Sequence, residues 1–230
     1  MKRYLLVFVV MGCMSRSVFD ARFRESALLA APTVSVTLPN PDAFSFAVVG
    51  DTHVGGQDTA RLRRILTAAA AEGDAFVVFL GDIVDTGERE DIVAVQTAVS
   101  DLGFTNKVIP VIGNHDVFEM GWEPYKELWG ASHFAVTVGN SKFIVLDTAD
   151  GTLGLEHKEW LENELRQGGA TNTFLLSHYL PFIPGQRTYL RLSNEVEAMK
   201  LMKMASRFQV RAWLGAHYHS YATENVENVM

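Results

Sequence analysis

Phe44-Ser45-Phe46-Ala47-Val48-Val49-Gly50-Asp51-Thr52-His53 is an apolar run rich in Phe and Val that delivers a glycine, a carboxylate and an imidazole at its end. Such a run reads as a buried strand. In open α/β sheets, ligands are met in the crevice beyond the carboxyl ends of the strands, where Asp51 and His53 fall. One such end decides little. Four more strand ends downstream carry polar ligand types. Residues 75–80 run into Gly81-Asp82-Ile83-Val84-Asp85, and 107–112 into Gly113-Asn114-His115-Asp116. Residues 173–176 run into Ser177-His178, and 210–214 into Gly215-Ala216-His217-Tyr218-His219.

Between these strands the spacing predicts helices. Asp58 or Thr59 caps the first, with Leu62, Ile65, Leu66 and Ala69 on its inner face and Gly73 as its stop. Arg61, Arg63 and Arg64 on its other face read as a solvated surface rather than a phosphate clamp. Further helices are expected over 89–102, 156–166 and 195–207, the second with Trp160, Leu161 and Leu165 inward and His157 on the surface. Strands at 134–138 and 142–146 meet at Gly139-Asn140, a pair that favours a hairpin. Trp122, Tyr125 and Trp129 either pack a loop or short helix onto the domain or form a substrate-facing wall. Alternating strands and helices give an α/β fold, with a mixed portion at the hairpin.

The 230 residues are 48% hydrophobic and 20% charged, which suits one globular domain with a sizeable core. A net charge of −7 supplies no general attraction for long nucleic acids. The single cysteine, Cys13, excludes an intrachain disulfide framework and a Cys-based zinc site.

Of the 7 histidines, His53, His115, His178, His217 and His219 sit just past an expected strand. A lone histidine there is more often a satisfied structural group than a ligand. Five, joined by Asp51, Asp82, Asp85, Asn114 and Asp116, are hard to bury without a metal or a dense hydrogen-bond network. Imidazoles, carboxylates and one amide suit Mn, Fe or Zn better than Ca or Mg. Seven candidate ligands exceed one tetrahedral ion and match two ions that share a carboxylate.

As an ordered set, Asp-Thr-His, Gly-Asp-Ile-Val-Asp, Gly-Asn-His-Asp, Ser-His and His-Tyr-His resemble the calcineurin-like metallophosphoesterase family over 44–219. The resemblance implies a four-layer β-sandwich of two mixed sheets flanked by helices. It implies two divalent metals, with Asp51, His53 and His219 on the first, Asn114, His178 and His217 on the second, and Asp82 bridging. It further implies a phosphomonoester or phosphodiester cleaved by a metal-bridging hydroxide. His115 would protonate the leaving oxygen or stabilise developing charge, Asp85 would orient His115, and Asp116 would support the site from behind. The alternative is a non-catalytic or truncated relative that uses the fold as a binding scaffold. The expected partner is a small phosphorylated molecule, chosen by the loops 87–91, 118–132 and 179–191, where Arg187 and Arg191 are substrate contacts or ordinary surface charges.

Three departures from the family pattern matter. Ala216 stands where glycine is usual, so a small backbone shift is expected there. Thr86 stands where phosphoprotein phosphatases carry arginine, which points away from that branch, and Pro181 after His178 points toward the phosphodiesterase branch. The sequence ends eleven residues after His219, where relatives continue through further strands. The expectation is a shortened C-terminus or one short strand over 224–230.

Lys2 and Arg3 precede an apolar run over 4–11 and then Gly12-Cys13. This is the order of a secretory signal, and it resembles a lipobox that would anchor an exported bacterial lipoprotein at Cys13. The alternative is an apolar strand or helix of a cytoplasmic protein. Residues 14–43 read as a linker or edge segment, with a helix over 22–31 and an edge strand over 33–38, ahead of a domain spanning 44–230.

Overall fold

The computed structural model describes residues 20–183 and 191–230, so the leader at 1–13 and Arg187 lie outside the described residues. The elements run α1 (20–26), β1 (Ala47–Val49), α2 (Ala60–Glu72), β2 (Val77–Leu80), α3 (Arg89–Asp101), β3 (Val108–Val111) and α4 (Trp122–Trp129). They continue with β4 (Phe134–Val138), β5 (Ser141–Val145), α5 (Leu155–Gln167), β6 (Asn172–Leu176), α6 (Glu195–Arg207) and β7 (Ala212–Leu214). One sheet is β1-β2-β3, all parallel. The other is β4-β5-β6-β7, a hairpin followed by parallel pairs.

Alternation along the strands explains why both sheets are apolar on both faces. On β2, Val77 and Phe79 face α2, α3 and α4, while Val78 and Leu80 face the second sheet. On β5, Phe143 and Val145 face inward, while Ile144 packs with α5 and α6. The layers are therefore helix, sheet, sheet, helix. Four phenylalanines join the sheets: Phe46 stacks on Phe76 at 5.0 Å, Phe143 stacks on Phe174 at 5.1 Å, and Phe46 meets Phe143 edge-on at 5.3 Å. Edge-to-face and offset contacts of this kind favour one alignment of the two sheets.

β1, β2 and β7 end where expected but begin two or three residues later, and β3 loses one residue at each end. The segment at 33–38 is not a strand. Ser35 N–H donates to the Asn106 carbonyl, and Val34, Val36 and Leu38 pack on the inter-sheet core. Residues 224–230 hold an isolated Val226–Val229 bridge, and the Trp213 N–H donates to the Met230 carbonyl. Helix 20–26 ends well before residue 31. The tryptophan insert is the short helix α4, with Tyr125 fully buried.

His157 is not on the surface. It is 1% exposed, because α1 covers that face of α5. Phe23 stacks on His133 at 4.2 Å and tilts over His157 at 4.9 Å, and Trp160 meets His133 edge-on at 4.9 Å. Beside them Arg22 holds both oxygens of buried Asp147, at 2.7 and 2.8 Å, and reaches Asp150 at 2.8 Å. Thus α1 is tied to the second sheet by a bidentate ion pair and an aromatic stack.

Burial pushes the imidazoles down, His133 to about 4 and His157 to about 3. Among the described residues, His133 Nδ1 and His157 Nε2 are buried without a hydrogen-bond partner. Burial works against the Asp147 carboxylate, but Arg22 outweighs it and brings Asp147 to about 2. All three values lie below those of the unfolded chain, so the folded state binds fewer protons. The histidine contribution is whole above about pH 6.5 and is lost as pH falls toward the folded values; the Asp147 contribution follows below about pH 4. In excess chelator, the melting temperature should begin to fall below about pH 6.5, and a His133→Phe/His157→Leu double variant should flatten that limb between about pH 6.5 and 4. An equally steep limb in the double variant would remove these imidazoles as its cause.

Candidate metal centre

The residues marked by the sequence gather where strand ends of the two sheets meet. Asp51 and His53 follow β1, Asp82 and Asp85 follow β2, and Asn114, His115 and Asp116 follow β3. His178 follows β6, and His217 and His219 follow β7.

The local backbone is unusual. Asp51, His53, Asp82, His217 and His219 have φ of 53°, 44°, 48°, 67° and 52°. Left-handed non-glycine residues cost energy and persist only where the surroundings over-determine them. For Asp51, His53 and Asp82, cross-loop bonds do so. Asp51 N–H donates to the Gly81 carbonyl at 3.1 Å, His53 N–H to the Asp82 carbonyl at 3.0 Å, and Val54 N–H to the Ile83 carbonyl at 3.0 Å. The Thr52 hydroxyl adds a 2.6 Å bond to the Ile83 carbonyl.

Glycines let the loops close. A Cβ on Gly81 would lie 2.6 Å from His178 Nδ1, and one on Gly113 would lie 2.2 Å from Asp82 Oδ1. The methyl of Ala216 is accommodated by the bare Gly50 opposite, where a Cβ would come within 2.4 Å of it.

Two donor sets result. In the first, Asp51, His53 and His219 converge, with His53 Nε2 at 3.4 Å and Asp51 Oδ1 at 3.5 Å from His219 Nε2. In the second, His178 Nε2 faces Asn114 Oδ1 at 3.1 Å, Asp82 Oδ2 at 3.2 Å and His217 Nδ1 at 3.2 Å. Asp82 Oδ2 also lies 3.8 Å from His53 Nε2, so one oxygen faces both sets. Its other oxygen is fixed by the His115 N–H at 2.8 Å.

These residues fit divalent ions. His178 Nδ1 donates to the Leu80 carbonyl at 2.9 Å, which directs the Nε2 lone pair into the second set. There it meets a carboxylate oxygen, an amide oxygen and a second imidazole, a crowd of acceptors that a cation resolves. Separations of 3.1–3.5 Å within the two sets match the roughly 3.0–3.4 Å between ligands each about 2.1 Å from one ion.

Burial works to raise the Asp82 carboxyl, but the His178 hydrogen bond and charge, with the His115 N–H, leave it below its ordinary value. Burial likewise works to lower His178, and Asp82 raises it above its ordinary value. The two form one coupled pair.

Asp85 meets His115 through its backbone as well as its side chain. Its carboxylate is 3.3 Å from His53 Nδ1 and 3.8 Å from His115 Nδ1, and its backbone carbonyl accepts from His115 Nδ1 at 2.7 Å. Asp116 is the buried brace. Its Oδ1 accepts from Ile83 and Val84 N–H at 2.8 and 3.0 Å, and its Oδ2 accepts from Gly113 N–H at 2.8 Å. Burial raises Asp116 to about 7, against the pull of the Val84 and Gly113 N–H groups, and the Asp82 charge adds to the rise. Tyr179, not singled out by the sequence, lies over His217 at 4.1 Å, and its place directly after His178 was the available signal. The Leu80 carbonyl has no signal in its side chain. Arg191 pairs with Glu195, and Arg63 with Asp101.

A family model for calcineurin-like phosphoesterase matches residues 44–221. Over 194 residues the chain is 25% identical to a Fibrobacter succinogenes protein described as a probable cyclic nucleotide phosphodiesterase, covering 78% of this chain and 74% of that one. It is similar in fold to purple acid phosphatase PPD1 of yellow lupin (Lupinus luteus) seeds, at TM-score 0.62 and 13% identity over 83% of this chain. The chain spans 39% of that phosphatase's length. It is also similar to a dimetal phosphatase from Danio rerio, at TM-score 0.56 and 15% identity, over 76% of this chain and 82% of that one.

Replacing Asp116 by alanine strands three buried N–H groups from two loops. The Asp116→Ala variant should lose about 3 kcal/mol or more, a drop of roughly 6–12 °C in melting temperature, with Asp116→Asn in between. A wild-type melting curve for Asp116→Ala would show that the loops are held by something else.

Proposed function

This chain belongs to the calcineurin-like phosphoesterase family and is a metal-dependent phosphoric ester hydrolase, and we propose that its substrate is a small phosphodiester cleaved by in-line attack of water. The observation that carries the reading is the single Asp82 oxygen facing both donor sets. In this reading Asp51, His53 and His219 hold one divalent ion, Asn114, His178 and His217 hold a second, and Asp82 is shared. The donor types suit Mn, Fe or Zn. When bound, the ions supply Lewis-acid charge and an activated water.

The protein's own groups do the rest. His115 is 40% exposed on its side chain, while its Nδ1 donates to the Asp85 carbonyl. A carbonyl only accepts, so Nδ1 keeps a proton and a second proton on the ring must reside at Nε2. From there it can pass to the leaving oxygen as the ester P–O bond breaks. The Asp85 carboxylate lies between His53 and His115, 3.3 Å from one ring and 3.8 Å from the other, and steadies both. Buried His178, tied to the Leu80 carbonyl, cannot swing into such a role.

Support for a diester comes from the Fibrobacter relative, described as a probable cyclic nucleotide phosphodiesterase, and from Thr86 in place of an arginine clamp. A phosphomonoester is the second reading, since the donor sets handle only the phosphate.

With metal restored, paired chromogenic mono- and diesters should show diester preference. Asp82→Asn should lower kcat/KM at least about 100-fold and reduce bound metal. His115→Ala should lower kcat by about 10²–10⁴, more for alkoxide than for nitrophenoxide leaving groups. Full activity and full metal content in Asp82→Asn would end the shared-carboxylate reading.

A further inference from the structure

We propose that the phosphoester bears a bulky apolar group, seated in the cavity that opens beside Asp51, His53 and His219; this rests on the hydrolase reading above. The cavity measures about 910 Å³ and has those three residues on its wall. It runs between β1 and β7, each the edge strand of its own sheet. Its wall includes Val48, Leu80, Leu180, Met202, Trp213 and Val229. A cavity of this size with a mainly apolar lining and a few convergent polar groups is what a small-molecule site requires.

The continuity matters more than the size. A phosphorus centre at the first donor set would place one ester substituent toward this space, where its hydrophobic surface leaves water beside a reacting bond. Remote binding of that kind raises kcat/KM without touching the reacting atoms.

The lining also says what the group is not. Among the described residues, Arg61 is the one lysine or arginine on the wall, so a second phosphate finds little compensation there. Tyr218, Ser220, Tyr221, Thr223 and Glu224 give part of the wall hydrogen-bonding groups, but Leu80, Leu180, Met202 and Trp213 offer a substituent van der Waals contact, and the exposed lining is mainly apolar. An alkyl or hydrocarbon-rich substituent is the better match.

The test uses the full chain with metal restored and a series of methyl, butyl and octyl 4-nitrophenyl phosphodiesters, with a cyclic nucleotide in parallel. Each early methylene should raise kcat/KM about two- to four-fold. In Met202→Trp, which fills the cavity, the octyl-to-methyl ratio of kcat/KM should fall toward one, while Met202→Ala should retain it. Because the readout is a ratio within each variant, loss of folded protein cancels. A flat series in the wild type, with the methyl ester still hydrolysed, overturns the cavity proposal alone. A cyclic nucleotide hydrolysed more efficiently than the octyl ester overturns its apolar character. Hydrolysis of none of the esters overturns the hydrolase reading itself.

Discussion

The imidazole of His178 joins the two sheets. It stands at the end of β6 in one sheet, and its Nδ1 donates to the Leu80 carbonyl at the end of β2 in the other. A ring that spans two sheets in this way sets their separation at the site, and the glycines follow from it. Gly81 has no room for a Cβ because His178 occupies that space, and Gly113 none because Asp82 does. With the sheets held this close, strand ends that are distant in sequence present their donors to common centres. The phenylalanines between the sheets fix the alignment that the imidazole then exploits.

Much of this was legible because the chemistry is local in sequence. Each donor lies within a few residues of its strand's end, so an apolar run followed by Gly-Asp or Gly-Asn-His announced both the strand and its cargo. Both the hairpin at Gly139 and the inward faces of α2 and α5 follow from short-range pattern in the same manner. What was not legible is long-range. Arg22 and Asp147 are 125 residues apart, and nothing near either predicts the pair. His157 reads as surface from its own helix, since the covering Phe23 comes from α1. The division of Asp85 between a side-chain contact to His53 and a carbonyl bond to His115 depends on where two loops cross, which no motif encodes.

The second polar cluster shows how the molecule treats titratable groups differently in two places. Around His133 and His157, aromatic faces surround nitrogens that lack partners, and burial keeps the rings neutral. Around His178, a carboxylate and an amide oxygen surround the ring, and Asp82 draws it toward the charged form. The same residue type is therefore a core side chain in one setting and a donor in the other. The difference lies in what faces it, not in how deeply it is buried, since both His157 and His178 are almost fully enclosed.

Five left-handed residues in two donor sets raise the question of what keeps them there. If bound ions alone did so, the loops would be loose without them and binding would have to order them. The main-chain bonds from Asp51, His53 and Val54 to the β2 loop, and the three N–H groups gathered by Asp116, involve no lone pair that faces a donor set. They hold the loops from behind. The Asp82 carboxylate combines both tasks, one oxygen bound to His115 N–H and the other directed between the sets. The β1, β2 and β3 loops are thus braced independently of the ions, so little of the ions' binding free energy goes into ordering them, whereas the His217 N–H of the β7 loop bonds to the Asp51 carboxylate itself, at 3.2 Å to each oxygen.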